Sequence, residues 1–287
     1  MSAATISDPG ASVAQKLERM KDILRSLRRV VVAFSAGVDS TFLLKVAIDT
    51  LGPGNVLAAT ADSDSLARAD FEQARRLAEK FGAPHRVIAT QEMNDPKYRA
   101  NPANRCYFCK TELYAKLRPI LTAEGYTAIV NGINADDLGD WRPGIQAARE
   151  NDVRSPCAEA GMTKQDIRIL SQQMGLPTYD KPASPCLSSR IQYGEEITPE
   201  KLRMVEQGEA FLHGLGLREC RVRHHNNLAR IEIPADQIAT FMQPEMRARI
   251  DAEFRRIGYT FVAMDLRGFR SGSMNEVIAF GKKQPAI

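Results

Sequence analysis

The chain predicts an α/β protein: a parallel sheet covered on both faces by helices, followed by a small α+β domain. Three observations lead there. Apolar, β-branched runs alternate with stretches of helical period through the first two thirds of the 287 residues. The first such run, Val30-Val31-Val32-Ala33-Phe34, stops at Ser35-Ala36-Gly37-Val38-Asp39-Ser40-Thr41 and passes at once into a helical pattern. Near residue 190 the order changes to helix, hairpin, helix, strand.

Taken in order, Ser12 to Leu27 places Val13, Leu17, Met20, Ile23, Leu24 and Leu27 on one helical face. The first strand, Val30 to Phe34, is followed by a helix predicted over residues 41–50. Val56 to Thr60 reads as a second strand, ending in Ala61-Asp62-Ser63-Asp64-Ser65. A helix over 66–81 closes at Gly82, and His85 to Ile88 is a short strand. Residues 106–117 and their flanks look helical. Ala128 to Val130 is a strand leading into Asn131-Gly132-Ile133-Asn134-Ala135-Asp136-Asp137. The helix over 163–174 has Thr163 as its N-cap and Gly175 after it. In such sheets ligands sit beyond the carboxyl ends of the strands, where the polar loops after Phe34, Thr60 and Val130 fall. Beyond residue 190, the pattern predicts a helix over 198–215 and strands over 220–224 and 229–233 around His225-Asn226-Asn227. A helix broken near Pro244 and a strand over 261–266 follow. The expected domains are therefore residues 1–190 and 191–287.

Composition is that of a soluble globular protein, 44% hydrophobic and 26% charged. A net charge of +4 permits a phosphorylated substrate but argues against a dedicated nucleic-acid surface. No apolar run reaches membrane-spanning length, and the start, with Asp8, Pro9 and Gly10, lacks signal-peptide form. These features predict a cytoplasmic protein with no membrane partner. Five cysteines in a chain this long point to reactive or metal-binding thiols rather than disulfides.

The Ser35–Thr41 loop joins a buried strand to a helix N-terminus. It aims unpaired backbone N–H groups and the positive end of a helix dipole at one point, and Ser35, Ser40 and Thr41 add hydroxyls. A phosphate chain suits that point. No Gly-Lys-Ser/Thr closes the loop, so it is not a Walker A loop, and it lacks G-x-G-x-x-G spacing. It resembles the PP-loop, Ser-Gly-Gly-x-Asp-Ser, of enzymes that cleave ATP between its α- and β-phosphates, with Ala36 where the first Gly is usual. Ala36 restricts φ at that position.

Cys106 and Cys109, in Asn104-Arg105-Cys106-Tyr107-Phe108-Cys109-Lys110, share a helix face. Two thiolates there make half of a soft metal site or a redox pair. Cys186 lies in Lys181-Pro182-Ala183-Ser184-Pro185-Cys186-Leu187-Ser188-Ser189-Arg190, where prolines enforce an extended loop. Three thiolates brought together would hold a [4Fe–4S] cluster with one open iron, or zinc with a free position. Cys157 and Cys220 sit in apolar contexts and read as core.

With these motifs, the chain resembles the LarE family of ATP-dependent sulfur transferases of nickel-pincer nucleotide synthesis, which supplies the cofactor of lactate racemase. The likeness runs over nearly the whole chain. It includes Asn131-Gly132-x-Asn134-Ala135-Asp136-Asp137, Arg142-Pro143-Gly144, Glu159-Ala160-Gly161, Lys181 through Cys186, Arg221-Val222-Arg223 and Ser271-Gly272-Ser273-Met274-Asn275. The resemblance implies an adenine nucleotide alpha hydrolase-like PP-loop ATP pyrophosphatase domain. It also implies adenylation of a carboxylate of a pyridinium mononucleotide and its conversion to a thiocarboxylate. One branch of the family uses a lone cysteine matching Cys186 and leaves dehydroalanine. The other holds a [4Fe–4S] cluster on three cysteines, whose open iron carries a sulfide from an outside donor. With Cys106, Cys109 and Cys186 all present, the cluster branch is the one expected.

The roles implied are these. Ser35, Gly37, Asp39, Ser40 and Thr41 hold the pyrophosphate end of ATP, with Asp39 organising Mg²⁺. Gly132 approaches the nucleotide beside Asp137, and Lys110 neutralises the acyl-adenylate or substrate phosphate. Arg190, Arg221 and Arg223 take the substrate phosphate, since guanidinium forks suit it and alternate strand residues share a face. Glu209 and Glu232 match positions linked to a divalent metal at a subunit interface. His224 and His225 read as hairpin residues, and Trp141 as packing or a substrate-side wall. The family suggests a homo-hexamer built from trimers. Three rival readings are a PP-loop tRNA thiolase, an ammonia-using amidating ligase of the NAD or GMP synthetase kind, and a non-catalytic ATP-binding module.

Overall fold

The computed structural model describes residues 11–139, 143–270 and 272. Trp141, Arg142, Ser271, Ser273, Met274 and Asn275, singled out in the sequence, lie outside the described residues. The chain divides into two compact units, Met1–Tyr98 with Asn104–Ser184, and Arg99–Ala103 with Pro185–Ile287. The second unit thus also takes in a short stretch far upstream in sequence.

The first unit is built on four parallel strands, β1 (Val30–Ala33), β2 (Val56–Asp62), β3 (His85–Ala89) and β4 (Ala128–Val130), in the order β3-β2-β1-β4. Val30 pairs with Val56 on one side and Ala128 on the other. Its longer helices are α1 (Val13–Leu27), α2 (Val38–Leu51), α3 (Arg68–Lys80), α4 (Arg105–Glu124), α5 (Pro143–Glu150) and α6 (Lys164–Gln173). Strand alternation sorts β1 between two cores. Val30 and Val32 join Met20, Leu24, Phe42, Leu43, Leu77 and Ile167 on one face. Val31 joins Leu57, Ile88, Leu113, Leu117 and Ala147 on the other. This is the parallel sheet covered on both faces that the alternating pattern predicts.

Caps explain where the helices begin. Ser12 and Thr163 each complete a capping box, with Gln15 and Asp166 respectively. The helix after β1 starts at Val38, three residues before the expected start, so Asp39 and Ser40 belong to its first turn. The hydroxyl and glycine residues that look like loop in the sequence are compatible with a first turn, where side chains cap rather than propagate. Likewise α4 runs to Glu124 through Pro119, well beyond residue 117.

The strand order creates a switch point. From β1 the chain moves through α2 to β2 and β3 on one side; β4 lies on the other. The loops after β1 and β4 therefore lie side by side at the carboxyl edge, where ligands of such sheets bind.

The second unit holds α7 (Pro199–Gly214), β5 (Arg221–His225), β6 (Leu228–Glu232), α8 (Pro244–Ile257) and β7 (Phe261–Met264). β5 and β6 form an antiparallel hairpin, and β7 pairs parallel to β6. The two-residue turn places Asn226 at φ +52°, a left-handed setting asparagine tolerates. Leu212, Val222, Ile231, Phe254 and Tyr259 make the core. Gly208 lets α7 approach closely, since a Cβ there would lie 3.1 Å from the Phe254 ring. No helix among the described residues is long and apolar enough to cross a membrane.

Candidate functional site

The switch point gathers most of the residues expected at ATP. Ser35 is exposed and Ser40 buried, and their hydroxyls lie 3.2 Å apart. The Ser35 backbone N–H donates to Ser40 Oγ at 3.4 Å, which closes the loop on itself. Gly37 is the N-cap of α2 and has no side chain to cap it, so the first-turn amides remain directed outward. Ala36 takes φ +53°, the conformation glycine would adopt without cost. Thr41 is fully buried and its Oγ1 is enclosed without a hydrogen-bond partner. The structure thus sets Thr41 apart from Ser35 and Ser40, which stay at the loop.

The loop after β4 closes on the same point. Gly132 has no room for a side chain: a Cβ would lie 2.8 Å from the Ser40 backbone nitrogen and 3.0 Å from the Asp39 carbonyl carbon. The close approach at Gly132 is therefore to the start of α2. Asn131 anchors the loop by accepting from Ser155 Oγ (2.8 Å) and from the Ile133 backbone. Asp137 is buried and accepts from the Asn134 N–H at 3.1 Å, while Asn134 Oδ1 accepts from the Asp136 and Asp137 N–H groups. These bonds make Asp137 an organiser of the loop's own backbone.

Asp39 meets two partners. Its carboxylate is ion-paired with Lys164, and Asn134 Nδ2 stands 3.5 Å from Oδ1. Lys164 escapes a motif reading, but it leaves a signal. It occupies the first position of α6, where the helix dipole disfavours a cation, so a partner is needed to hold it there. Its own N–H donates to Asp136 Oδ2 at 2.8 Å. Lys181, also missed as a site residue, donates to the Ala36 carbonyl (3.2 Å), Asp70 (2.8 Å) and Gln73 (2.5 Å).

Cys106 is exposed and Cys109 half-buried, one turn apart at the start of α4, and half-buried Lys110 follows. Gly144 on α5 packs beside Lys110, where an added Cβ would lie 3.6 Å from its Cγ. Soft donors open to solvent on one helix face suit an iron–sulfur group or a redox pair. Cys157 and Cys220 are core, as the apolar context predicts. Burial raises both thiols, Cys220 to about 12. Among the described residues no group of three or more His, Cys, Asp or Glu side chains is gathered to hold a metal ion.

In the second unit Cys186 is half-buried and precedes a single helical turn, Leu187–Arg190. Arg190 is almost fully buried. Its Nη1 donates to the Pro185 carbonyl (2.5 Å) and the Cys186 carbonyl (3.1 Å), so this guanidinium shapes the cysteine's backbone. The same side chain forms a fork on Glu209, both contacts at 2.9 Å. Burial works against the Arg190 charge, but the Glu209 carboxylate holds it above its ordinary value. Arg223 pairs with Glu232 at 2.8 Å and donates to the Ser189 carbonyl at 3.1 Å. Arg221 lies over the Phe269 ring at 5.0 Å; burial and then the charge of Arg190 push its guanidinium down. Arg221 and Arg223 are 6% and 5% exposed, so β5 is not a solvated basic edge.

Glu209 and Glu232, expected at a divalent ion, each face a guanidinium group. Both carboxylates are buried and neutralise guanidinium groups, Glu232 with Arg230 (3.1 Å) as well as Arg223. The family resemblance points to these glutamates but does not reveal the arginines that face them. His224 is buried against Tyr259 (3.2 Å) and Glu195 (3.4 Å), and His225 meets Gln192 at 3.0 Å. Both belong to the hairpin's packing.

Comparison with known proteins bears on this geometry. Residues 13–124 match the NAD synthase family model. The chain is 48% identical over 263 residues to an uncharacterized protein of Synechocystis sp., covering 92% of this chain and 98% of that one. It is 37% identical over 268 residues to the pyridinium-3,5-bisthiocarboxylic acid mononucleotide synthase of Lactiplantibacillus plantarum, covering 93% and 96%. A tRNA-specific 2-thiouridylase of Azorhizobium caulinodans is 31% identical over 226 residues, covering 63% of this chain and 56% of that enzyme.

Proposed function

We propose, from the premise that this chain belongs to the LarE family of PP-loop ATP-dependent enzymes, that it converts a carboxylate of a pyridinium dicarboxylate mononucleotide to a thiocarboxylate. The observation that supports it is the packing of the β4 loop on the first turn of α2. Gly132 lies against the backbone of Asp39 and Ser40, and the Ser35 and Ser40 hydroxyls stand 3.2 Å apart beside them. Helix amides and hydroxyls suit the phosphates of ATP, and Asp39 is the oxygen donor that Mg²⁺ would take.

The chemistry balances in two steps. A substrate carboxylate oxygen attacks the α-phosphorus and pyrophosphate leaves, giving an acyl-adenylate. A sulfur nucleophile then attacks the acyl carbon and AMP leaves. Mg²⁺ would neutralise the departing pyrophosphate. With Mg²⁺ bound, Lys164 would yield Asp39 to the ion and its amine would neutralise the phosphates. Lys110 would offset charge on the acyl-adenylate, and Arg190, Arg221 and Arg223 would offset that on the substrate phosphate.

Cys106, Cys109 and Cys186 would hold a cluster that takes sulfur from sulfide or another donor, or Cys186 would itself give up its sulfur. A [4Fe–4S] cluster would provide a labile sulfide at its open iron. In the second route, loss of the Cys186 α-proton expels the thiocarboxylate by breaking the Cβ–S bond and leaves dehydroalanine. The three accessible thiols supply the right donor atoms for either route. The reading also includes a cytoplasmic, trimer-based hexamer, which light scattering after gel filtration would test.

The test is anaerobic purification followed by incubation with ATP, Mg²⁺ and the pyridinium mononucleotide. Substrate-dependent pyrophosphate release and a thiocarboxylate product are expected. Pyrophosphate release that needs ammonia, or thiolated nucleosides from retained RNA, would overturn the reading. About four irons per chain select the cluster route. Absence of iron after reconstitution, with dehydroalanine at position 186 after turnover, selects the sacrificial one.

A further inference from the structure

The strained residue in the phosphate loop has an identifiable support. Ala36 is a non-glycine residue at φ +53°, fully buried. Such a setting costs free energy and persists only where the surroundings hold it. Lys181 holds it. Its Nζ donates to the Ala36 carbonyl at 3.2 Å and is itself fixed by Asp70 Oδ1 at 2.8 Å and Gln73 Oε1 at 2.5 Å, both on α3. The other end of Lys181 is also clamped, because Arg168 donates to its carbonyl at 2.9 Å and to that of Tyr179 at 2.7 Å. Asp70 has a second duty: its Oδ2 accepts from Ser184 Oγ at 2.9 Å. One carboxylate therefore receives both Lys181 and Ser184, and Cys186 is two residues further along the chain.

We propose that Lys181 is the positioning residue of the phosphate loop. It braces the Ala36–Gly37 peptide in its left-handed setting so that the first-turn amides of α2 meet the nucleotide phosphates. Asp70 ties the same brace to the segment entering Cys186, so that ordering of the loop by nucleotide also orders that segment. Where the family pattern has glycine the setting needs no brace; with Ala36 it does. The second part of the proposal rests on the adenylating reading above, whereas the brace itself does not.

The experiment compares Lys181→Met, Lys181→Arg and the double variant Lys181→Met with Ala36→Gly in the full chain. Amide exchange over Gly37 and Val38 is read in nucleotide-free protein, and binding is read with α,β-methylene-ATP. Lys181→Met is expected to speed exchange at Gly37 and to weaken the analogue roughly tenfold, the scale set by one unsupported left-handed residue. Lys181→Arg retains most of the binding, and Ala36→Gly restores it in the Lys181→Met background. In pyrophosphate release, KM for ATP rises more than kcat falls. Faster exchange at residues 184–186 that nucleotide no longer suppresses completes the coupling.

Unchanged exchange at Gly37 in Lys181→Met overturns the brace. Failure of Ala36→Gly to restore binding overturns the role of the left-handed setting, and a loss of melting temperature with unaltered KM reduces Lys181 to a structural residue. A wild-type protein that binds the analogue but makes no thiocarboxylate overturns the functional reading alone, and the exchange data still decide the brace.

Discussion

Replacing Gly132 by alanine tests whether the contact between the β4 loop and the first turn of α2 is the working part of this protein. The added Cβ would stand 2.8 Å from the Ser40 nitrogen, 3.0 Å from the Asp39 carbonyl carbon and 3.1 Å from Asp39 Cβ. Two of these neighbours are backbone, and all belong to the first turn of α2, so no flexible side chain can swing away. Reaching an ordinary van der Waals separation near 3.5 Å needs a shift of about 0.7 Å between the β4 loop and α2. Overpacking of this kind costs about 2 kcal/mol, or ~4–8 °C in the melting transition of the sheet-bearing unit. Because the shift falls on the phosphate-facing turn, KM for ATP in pyrophosphate release should rise roughly tenfold. Thermal melting and initial-rate kinetics on one preparation read both effects. A Gly132→Ala protein that melts within a degree of wild type and keeps its KM would refute the argument. The nucleotide would then not depend on the packing of these two loops.

Three further outcomes follow from the structure. Iodoacetamide should label Cys106, Cys109 and Cys186 in the native protein and leave Cys157 and Cys220 untouched until denaturant is added, as mass spectrometry of the digested chain would show. Arg190→Met strands the buried Glu209 carboxylate and should destabilise the second unit by about 3–5 kcal/mol in urea; Glu209→Leu on top should recover much of it. No recovery would mean that the fork is not what holds Glu209. The Cys220 thiol, pushed up to about 12 by burial, adds stability that is complete below the unfolded value of about 8.5 and is lost as pH rises towards 12. Between pH 8.5 and pH 10 the second unit should therefore weaken by about 2 kcal/mol more than in Cys220→Ser. Parallel pH profiles for the two proteins would count against it.

Much of the first unit was legible because its signals are local. A β-branched run of strand length, a helix N-cap and a glycine after a helix report on a few neighbouring residues, and their period follows from backbone geometry. Ala128–Val130 and the capped α6 therefore fall where the pattern puts them. The start of α2 fell three residues earlier because serine, glycine and aspartate suit both a loop and a first turn, and only the hydrogen-bonded geometry separates the two.

What the sequence by itself determined is the set of chemical groups and their order: a PP-loop-like turn after a strand, a pair of thiols at 106 and 109 on one helix face, a loop thiol at 186, and core thiols at 157 and 220. What only the tertiary structure decided is which charges meet. Lys164 on Asp39, Lys181 on the Ala36 carbonyl, Arg190 on Glu209 and Arg223 on Glu232 join residues from 9 to 145 positions apart. The strength of an ion pair depends on distance and burial, and neither is encoded by spacing along the chain. The sequence therefore does not show that Glu209 and Glu232 face guanidinium groups, nor that Lys181, from a distant segment, reaches the phosphate loop.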